Sequence, residues 1–272
     1  MNAPASYSPT TGSAEPRPHR GGSFLHDTWT VLLREAGPTV REPVGLAFTM
    51  VQPLLFLFLF GPLLGGSGGF AGGQPPWQWF VPGVLVLLCL FGPMMAGYTL
   101  LVELLGGSLE RMLVSPLNRT AMLIGRTLKE SVVLAVQAVL IVALALPLGF
   151  ELHPLGVLAG LALLTVFGVG LGALSFTLAL ASQPNGELFY GVTQMLLFPL
   201  LLLSGVLLPL DSGPAWLRAA AAVNPVAYIA DAERALFAGR FAEAVVLHGA
   251  LAAAAVAAAG LALGTRAMRR GV

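Results

Sequence analysis

The chain is 272 residues long, with 56% hydrophobic and 10% charged residues, against about 25% charged in an ordinary soluble domain. A soluble fold must show much of its surface to water, so this composition excludes an ordinary soluble enzyme. The net charge of +1, from 14 basic and 13 acidic residues, carries no nucleic-acid footprint. The single cysteine, Cys89, excludes a disulfide framework and a Cys-rich metal site.

In chain order, 1–22 is rich in Pro, Ser and Thr and lacks the apolar core of a secretory signal, so it reads as a disordered tail. The stretch 23–36 predicts a helix with Ser23 as N-cap and Gly37-Pro38 as its stop. Leu25, Trp29, Leu32, Leu33 and Ala36 share one face at helical spacing, which suits a helix lying in the membrane interface with Trp29 buried. The alternative is a surface helix packed on a soluble domain, and the sequence offers no such domain.

Charge then disappears in long windows. No Asp, Glu, Lys or Arg occurs over the 60 residues from Pro43 to Val102, and further uncharged windows run over 131–150, 152–186, 188–210 and 244–265. A helix crossing the hydrocarbon core needs about 20 apolar residues. The first window is too long for one span, and its Gly-rich middle, 65–76, predicts a turn followed by Trp77 and Trp79 at the membrane surface. Six transmembrane helices follow, over 44–64, 80–102, 127–149, 155–181, 188–210 and 244–265. These runs are continuous and Leu/Ala-rich, unlike the alternating strands of a barrel. The fold class expected is therefore an all-α membrane protein. Pro93 and Pro199 fall inside predicted spans 2 and 5 and should kink them.

Between the spans, 103–119 (ELLGGSLERMLVSPLNR) is longer than a connector needs. Leu109, Met112 and Leu113 form a short apolar face beside Glu110 and Arg111, and Ser115-Pro116 ends it. This is either a solvated loop or a docking surface for a partner protein. The stretch 211–243 predicts two short helices, Pro214–Val223 and Val226–Phe237, parted by Asn224-Pro225. They are too short and too charged to span, and suit a helical hairpin dipping into one leaflet; the alternative is a plain loop, against which Trp216 and the many alanines argue. Eleven basic residues fall on the side of both termini and the loop after span 2, and three (Arg218, Arg234, Arg240) on the other. The positive-inside rule then puts both termini in the cytoplasm.

Energy-coupling chemistry is missing from the chain itself. The only lysine, Lys129, is preceded by Leu128, so no phosphate loop exists, and neither HExxH nor GxSxG occurs. The four histidines are scattered, and no ionisable residue lies deep in a predicted span, with Glu103 and His248 at span ends. Proton-coupled transporters place such residues in their spans. A membrane body without its own energy source, but with a structured loop, points to an external motor.

Four segments, FVPGVLVL at 80–87, GGSLERMLVSPLNRTAMLIGRTL at 106–128, FPLLLLSGVLLPLDSGPAWLRAAAAVNPVAYIADAERAL at 198–236 and the final span, resemble the permease subunit of type-2 ABC exporters, nearest the daunorubicin-type antibiotic-resistance permeases. The resemblance covers about 240 residues, from Ser23 onward, as one transmembrane domain over 23–272. It implies that 23–36 is a connecting helix. It also implies that Leu109, Glu110, Arg111, Met112, Leu113, Ser115 and Pro116, with Arg119 beyond, form the coupling helix against the ATPase. Pro214, Trp216, Asn224, Pro225 and Tyr228 would belong to the extracytoplasmic hairpin that closes the exit. The substrate path would lie between two permease chains, where Phe56, Phe60, Phe91, Met95, Tyr98, Tyr190, Met195 and Phe198 are candidates; each could equally face lipid or pack internally. Aromatic and Met surfaces suit bulky, weakly polar ligands.

The implied unit is two permease chains, identical if a homodimer, and two separate ATPase chains that bind ATP and Mg, with no cofactor on this chain. The implied place is the bacterial cytoplasmic membrane, which the Arg-over-Lys usage of a GC-rich genome suits, and the implied cargo is hydrophobic or amphiphilic small molecules. Rival readings are an exporter of lipid-linked polysaccharide or lipid with the same fold, an autonomous secondary transporter, and a membrane enzyme.

Overall fold

The structure, a computed structural model, describes residues 24–41, 43–66, 76–106, 119–207, 210 and 213–270. The expected tail over 1–22 and the expected coupling helix over 109–116 lie outside the described residues.

Among the described residues the fold is all-helical, with nine α-helices and no strand. They are α1 (Phe24–Arg41), α2 (Pro43–Gly66), α3 (Pro76–Leu105), α4 (Arg119–Ala145, continued by a 3-10 turn over Leu146–Leu148), α5 (Pro154–Ala181), α6 (Glu187–Leu202), α7 (Ala215–Val223), α8 (Pro225–Phe237) and α9 (Ala244–Arg270). Four stretches, Pro76–Leu105, Ile124–Leu148, Pro154–Ala181 and Ala244–Ala267, are long and apolar enough to cross a membrane; Ala47–Leu59 and Glu187–Leu202 are apolar but shorter. The expected apolar segments thus recur as helices, with three corrections.

The first concerns α1. It runs through Gly37-Pro38 to Arg41. Pro38 lacks the donor that would bond the Arg34 carbonyl, so the last turn continues with one backbone bond fewer. The second concerns the predicted span 188–210, whose helix ends at Leu202. The Ser204 hydroxyl donates to the Leu201 carbonyl at 2.6 Å and accepts from Val206 N–H at 3.1 Å, and Gly205 turns the chain at φ 68°. The side chain thereby replaces the helical bonds that would have continued α6. Pro199 consequently sits in the final turn rather than mid-helix. The third is Trp79, expected at the surface, which is buried.

The core sits on α3. Phe80, Leu85, Leu90, Leu100 and Leu101 of α3 are fully enclosed, with Ile141 of α4, Leu164, Phe167 and Phe176 of α5, and Phe237 of α8. α5 packs closely on α9 and α3, α8 lies across α3, α5 and α9, and α1 lies along α4. Gly170 and Gly260 set the α5–α9 approach: a Cβ on Gly170 would meet the Ala257 backbone at 2.6–2.7 Å, so only hydrogen fits. α2 and α6 make fewer contacts. They leave Phe48, Leu55 and Leu59 of α2 and Met195, Leu196 and Phe198 of α6 exposed.

Candidate transport site

At one end of the helices, α1 is fastened to the membrane body by both shape and charge. Gly125 on α4 has Thr28 O and the Val31 side chain where a Cβ would be, at 2.8–2.9 Å, so the two helices touch along Thr28 and Val31. Beside this contact Arg126 of α4 is nearly buried. Its Nη2 donates to Glu103 of α3 at 2.7 Å and pairs with Glu35 of α1 at 3.4 Å. One guanidinium therefore joins three helices, and α3 and α4 lead directly into 107–118. The opposite face of α1 carries Trp29 and Leu33, 58% and 55% exposed, with Leu32 half-buried between the faces. Trp29 is thus not buried within the chain; the position of its face suits lipid. Nothing is described of the Leu25 and Arg119 side chains.

A cavity of about 310 Å³ opens between α2, α3, α4 and α5, at the lower end of the range for ligand pockets. Leu87, Phe91, Leu134 and Leu164 form apolar walls, and Thr49, Gln52, Glu130 and Gln137 supply polar groups. Gln137 donates to Thr49 at 3.2 Å, and Glu130 pairs with Lys129 at 2.9 Å. Of the path candidates, Phe91 and Met95 line this cavity. Tyr98 and Tyr190 meet edge to face with centroids 6.0 Å apart, Phe56 is half-buried, and Met195 and Phe198 are exposed on α6. The structure therefore scatters the seven described candidates rather than gathering them in one place; the Phe60 side chain is not described.

At the other end lies the hairpin α7–α8. Asn224 makes the corner: its Oδ1 accepts from Val226 N–H at 3.0 Å, capping α8, and its Nδ2 donates to Leu200 O at 2.8 Å, holding the corner to α6. Pro225 occupies the first helical position, where its missing donor costs nothing. Tyr228 donates its hydroxyl to Ala222 O at 2.7 Å and closes the turn. Pro214 precedes α7 as its N-cap residue, and Trp216 is 69% exposed, so the chain itself does not shield that ring as expected.

The groups that seat α8 were not foreseen as a site. Arg234 places its guanidinium 4.1 Å from the Trp79 ring centroid, donates to Gly205 O at 2.7 Å and Trp79 O at 3.4 Å, and meets Asp231 at 3.3 Å. This stacking on a cation is what draws Trp79 inward. Gln78, also buried, donates to Glu151 O at 3.0 Å and Phe237 O at 3.1 Å and accepts from Glu151 N–H at 3.1 Å. One turn of α8 away, Glu233 is completely enclosed against Gly160 and Phe237, and neither carboxylate oxygen has a hydrogen-bond partner among the described residues. Burial pushes its carboxyl from the ordinary 4.5 up to about 8.

An all-helical, charge-poor body with several helices long and apolar enough to cross a membrane describes a multi-pass membrane protein. Comparison with known proteins agrees. Residues 26–238 match the model of the ABC-2 type transporter family. Daunorubicin resistance ABC transporter permease protein DrrB1 of Streptomyces coeruleorubidus is 31% identical over 234 residues, 85% of this chain and 81% of that protein. A protein of Cyanophora paradoxa named as a transport permease, ycf38, is 30% identical over 79% of this chain and 75% of its own length. Escherichia coli YbhR, named as a multidrug ABC transporter permease, is 27% identical over 59% of this chain and 44% of its own. The chain belongs to the ABC-2 type transporter family.

Proposed function

We propose that the chain is the membrane subunit of a bacterial ATP-driven exporter of hydrophobic or amphiphilic small molecules, drugs or antibiotics among them. The observation that carries this reading is the family match over most of a chain that has no phosphate loop of its own; the daunorubicin and multidrug names of DrrB1 and YbhR support the cargo class.

In this reading α2, α3, α4, α5, α6 and α9 cross the cytoplasmic membrane, both termini face the cytoplasm, and 23–272 is one transmembrane domain after a disordered tail. Two ATPase chains, holding ATP and Mg, dock on the stretch 109–116 with Arg119, and a second, identical permease completes the unit. Nucleotide binding closes the ATPase pair. Because nucleotide favours one state over the other, it shifts the membrane part as well. The Arg126 junction conveys the shift from 107–118 to α1, α3 and α4. The cargo passes along faces of α2, α3 and α6, and the hairpin from Pro214 to Tyr228 closes the exit. Exposed apolar faces on α2 and α6 suit a partner chain or lipid on that side.

The test replaces Glu110 and Arg111 together and measures both co-purification of the partner ATPase and drug accumulation in cells. Loss of both is expected. Unchanged assembly with unchanged export overturns the docking assignment, and a chain that exports without any ATPase overturns the exporter reading.

A further inference from the structure

We propose that Glu233 is a proton-binding site coupled to the hairpin: it holds a proton while α8 is seated on α5 and releases it to water when α8 lifts. The proposal goes beyond the exporter reading and rests on it only for the side to which the proton leaves.

The geometry makes the case. Glu233 is wholly buried in the seam between α8, α3 and α5, and both of its oxygens lack partners among the described residues. An isolated carboxylate in such a place is costly, and the group neutralises instead. Among the described residues the surroundings offer no compensating cation. From α5 the seam presents Gly156 and Gly160, with His153 nearer Gly239 at the helix start. From α3 it presents the Cys89 thiol, which donates to Leu164 O. His248 of α9 lies against the Tyr228 ring, and Arg218 of α7 is exposed. On α8 itself, Arg234 is engaged with Asp231 and with the Trp79 ring. The space is specific as well: a Cβ on Gly160 would collide with the Glu233 carboxylate and the Phe237 ring. A leucine would suffice to fill a seam, whereas a carboxyl adds a group whose charge is tolerated only when the seam opens.

The sign follows from linkage. The seated state binds the proton more tightly than the lifted state, whose carboxyl returns to the ordinary 4.5. Seating is thus fully favoured below that value. The lifted population rises about tenfold per pH unit up to the seated value near 8, and is flat above it.

The full chain in nanodiscs of phosphatidylcholine and phosphatidylglycerol provides two readouts. Infrared difference spectra should show a protonated carboxyl at neutral pH that ionises in the alkaline range and is missing from Glu233→Gln. Hydrogen exchange of the 225–237 peptide, corrected for intrinsic rate, should show opening that rises about tenfold from pH 6 to 7 in the wild type and stays flat in the variant. Should Glu233→Gln not fold, Glu233→Leu lacks the same proton and serves both measurements. Equal infrared bands in wild type and variant, or equal pH slopes of exchange, overturn the proposal. Neither readout needs the ATPase or export, so failure of the exporter reading leaves a distinct signature.

Discussion

Two arginines hold the two ends of the helix bundle, and they do so with different chemistry. Arg126 is matched by two carboxylates from two other helices, Glu103 and Glu35, each about a quarter exposed. Arg234 meets two carbonyls and an indole face, and the Asp231 carboxylate beside it is 58% exposed. The first junction is therefore built from charges within reach of water, whose attraction depends on ionic strength. The contacts described for the second are mostly to neutral groups, on which salt has little to act. A junction of the first kind can be loosened and remade; one of the second kind holds a fixed arrangement. In the proposed exporter, the difference suits an end that receives motion and an end that stays shut until driven.

Four substitutions probe this contrast. Arg234→Ala should have the largest effect. It removes the stack on Trp79 and leaves carbonyls of Gly205 and Trp79 unpaired in a buried seam, a loss of about 3–5 kcal/mol. Denaturation in mixed micelles should register it, with exchange rising throughout 225–237. Arg126→Gln should cost about 2–3 kcal/mol by leaving two carboxylates facing each other. Part of that loss should be recovered in high salt, whereas Arg234→Ala should be insensitive; equal salt responses would erase the distinction. Asn224→Ala removes the cap of α8 and the bond to Leu200, for about 1–2 kcal/mol, read as faster exchange at the first turn of α8. Asp231→Asn should change stability by less than about 0.5 kcal/mol, because that pair is largely solvated. A larger effect would mean that Arg234 relies on charge after all.

The sequence made the membrane helices and the hairpin corner legible for simple reasons. Charge-free runs of 20 or more residues have few other uses, and Asn224-Pro225 is both a cap and a first-turn residue. What it hid were pairings across long separations. Arg234 and Trp79 are 155 residues apart, and a tryptophan beside a predicted span looks the same whether it meets lipid or a guanidinium. Glu233 escaped notice because it lies in a short polar helix rather than in a span, and only the tertiary fold lays that helix across α3 and α5. The stop at Leu202 was invisible because a serine hydroxyl, rather than a proline or charge, ends α6. Arg126 read as one more cytoplasmic base until α1 brought Glu35 alongside it.

Gln78 carries a consequence for how such a protein could widen. Its three bonds tie the start of α3 to the segment entering α5 and to the last turn of α8, so those pieces would have to part in a single concerted rupture. Lifting of α8 would therefore break these bonds together, whereas α2 and α6, which have the fewest neighbours among the apolar helices, could shift without breaking them.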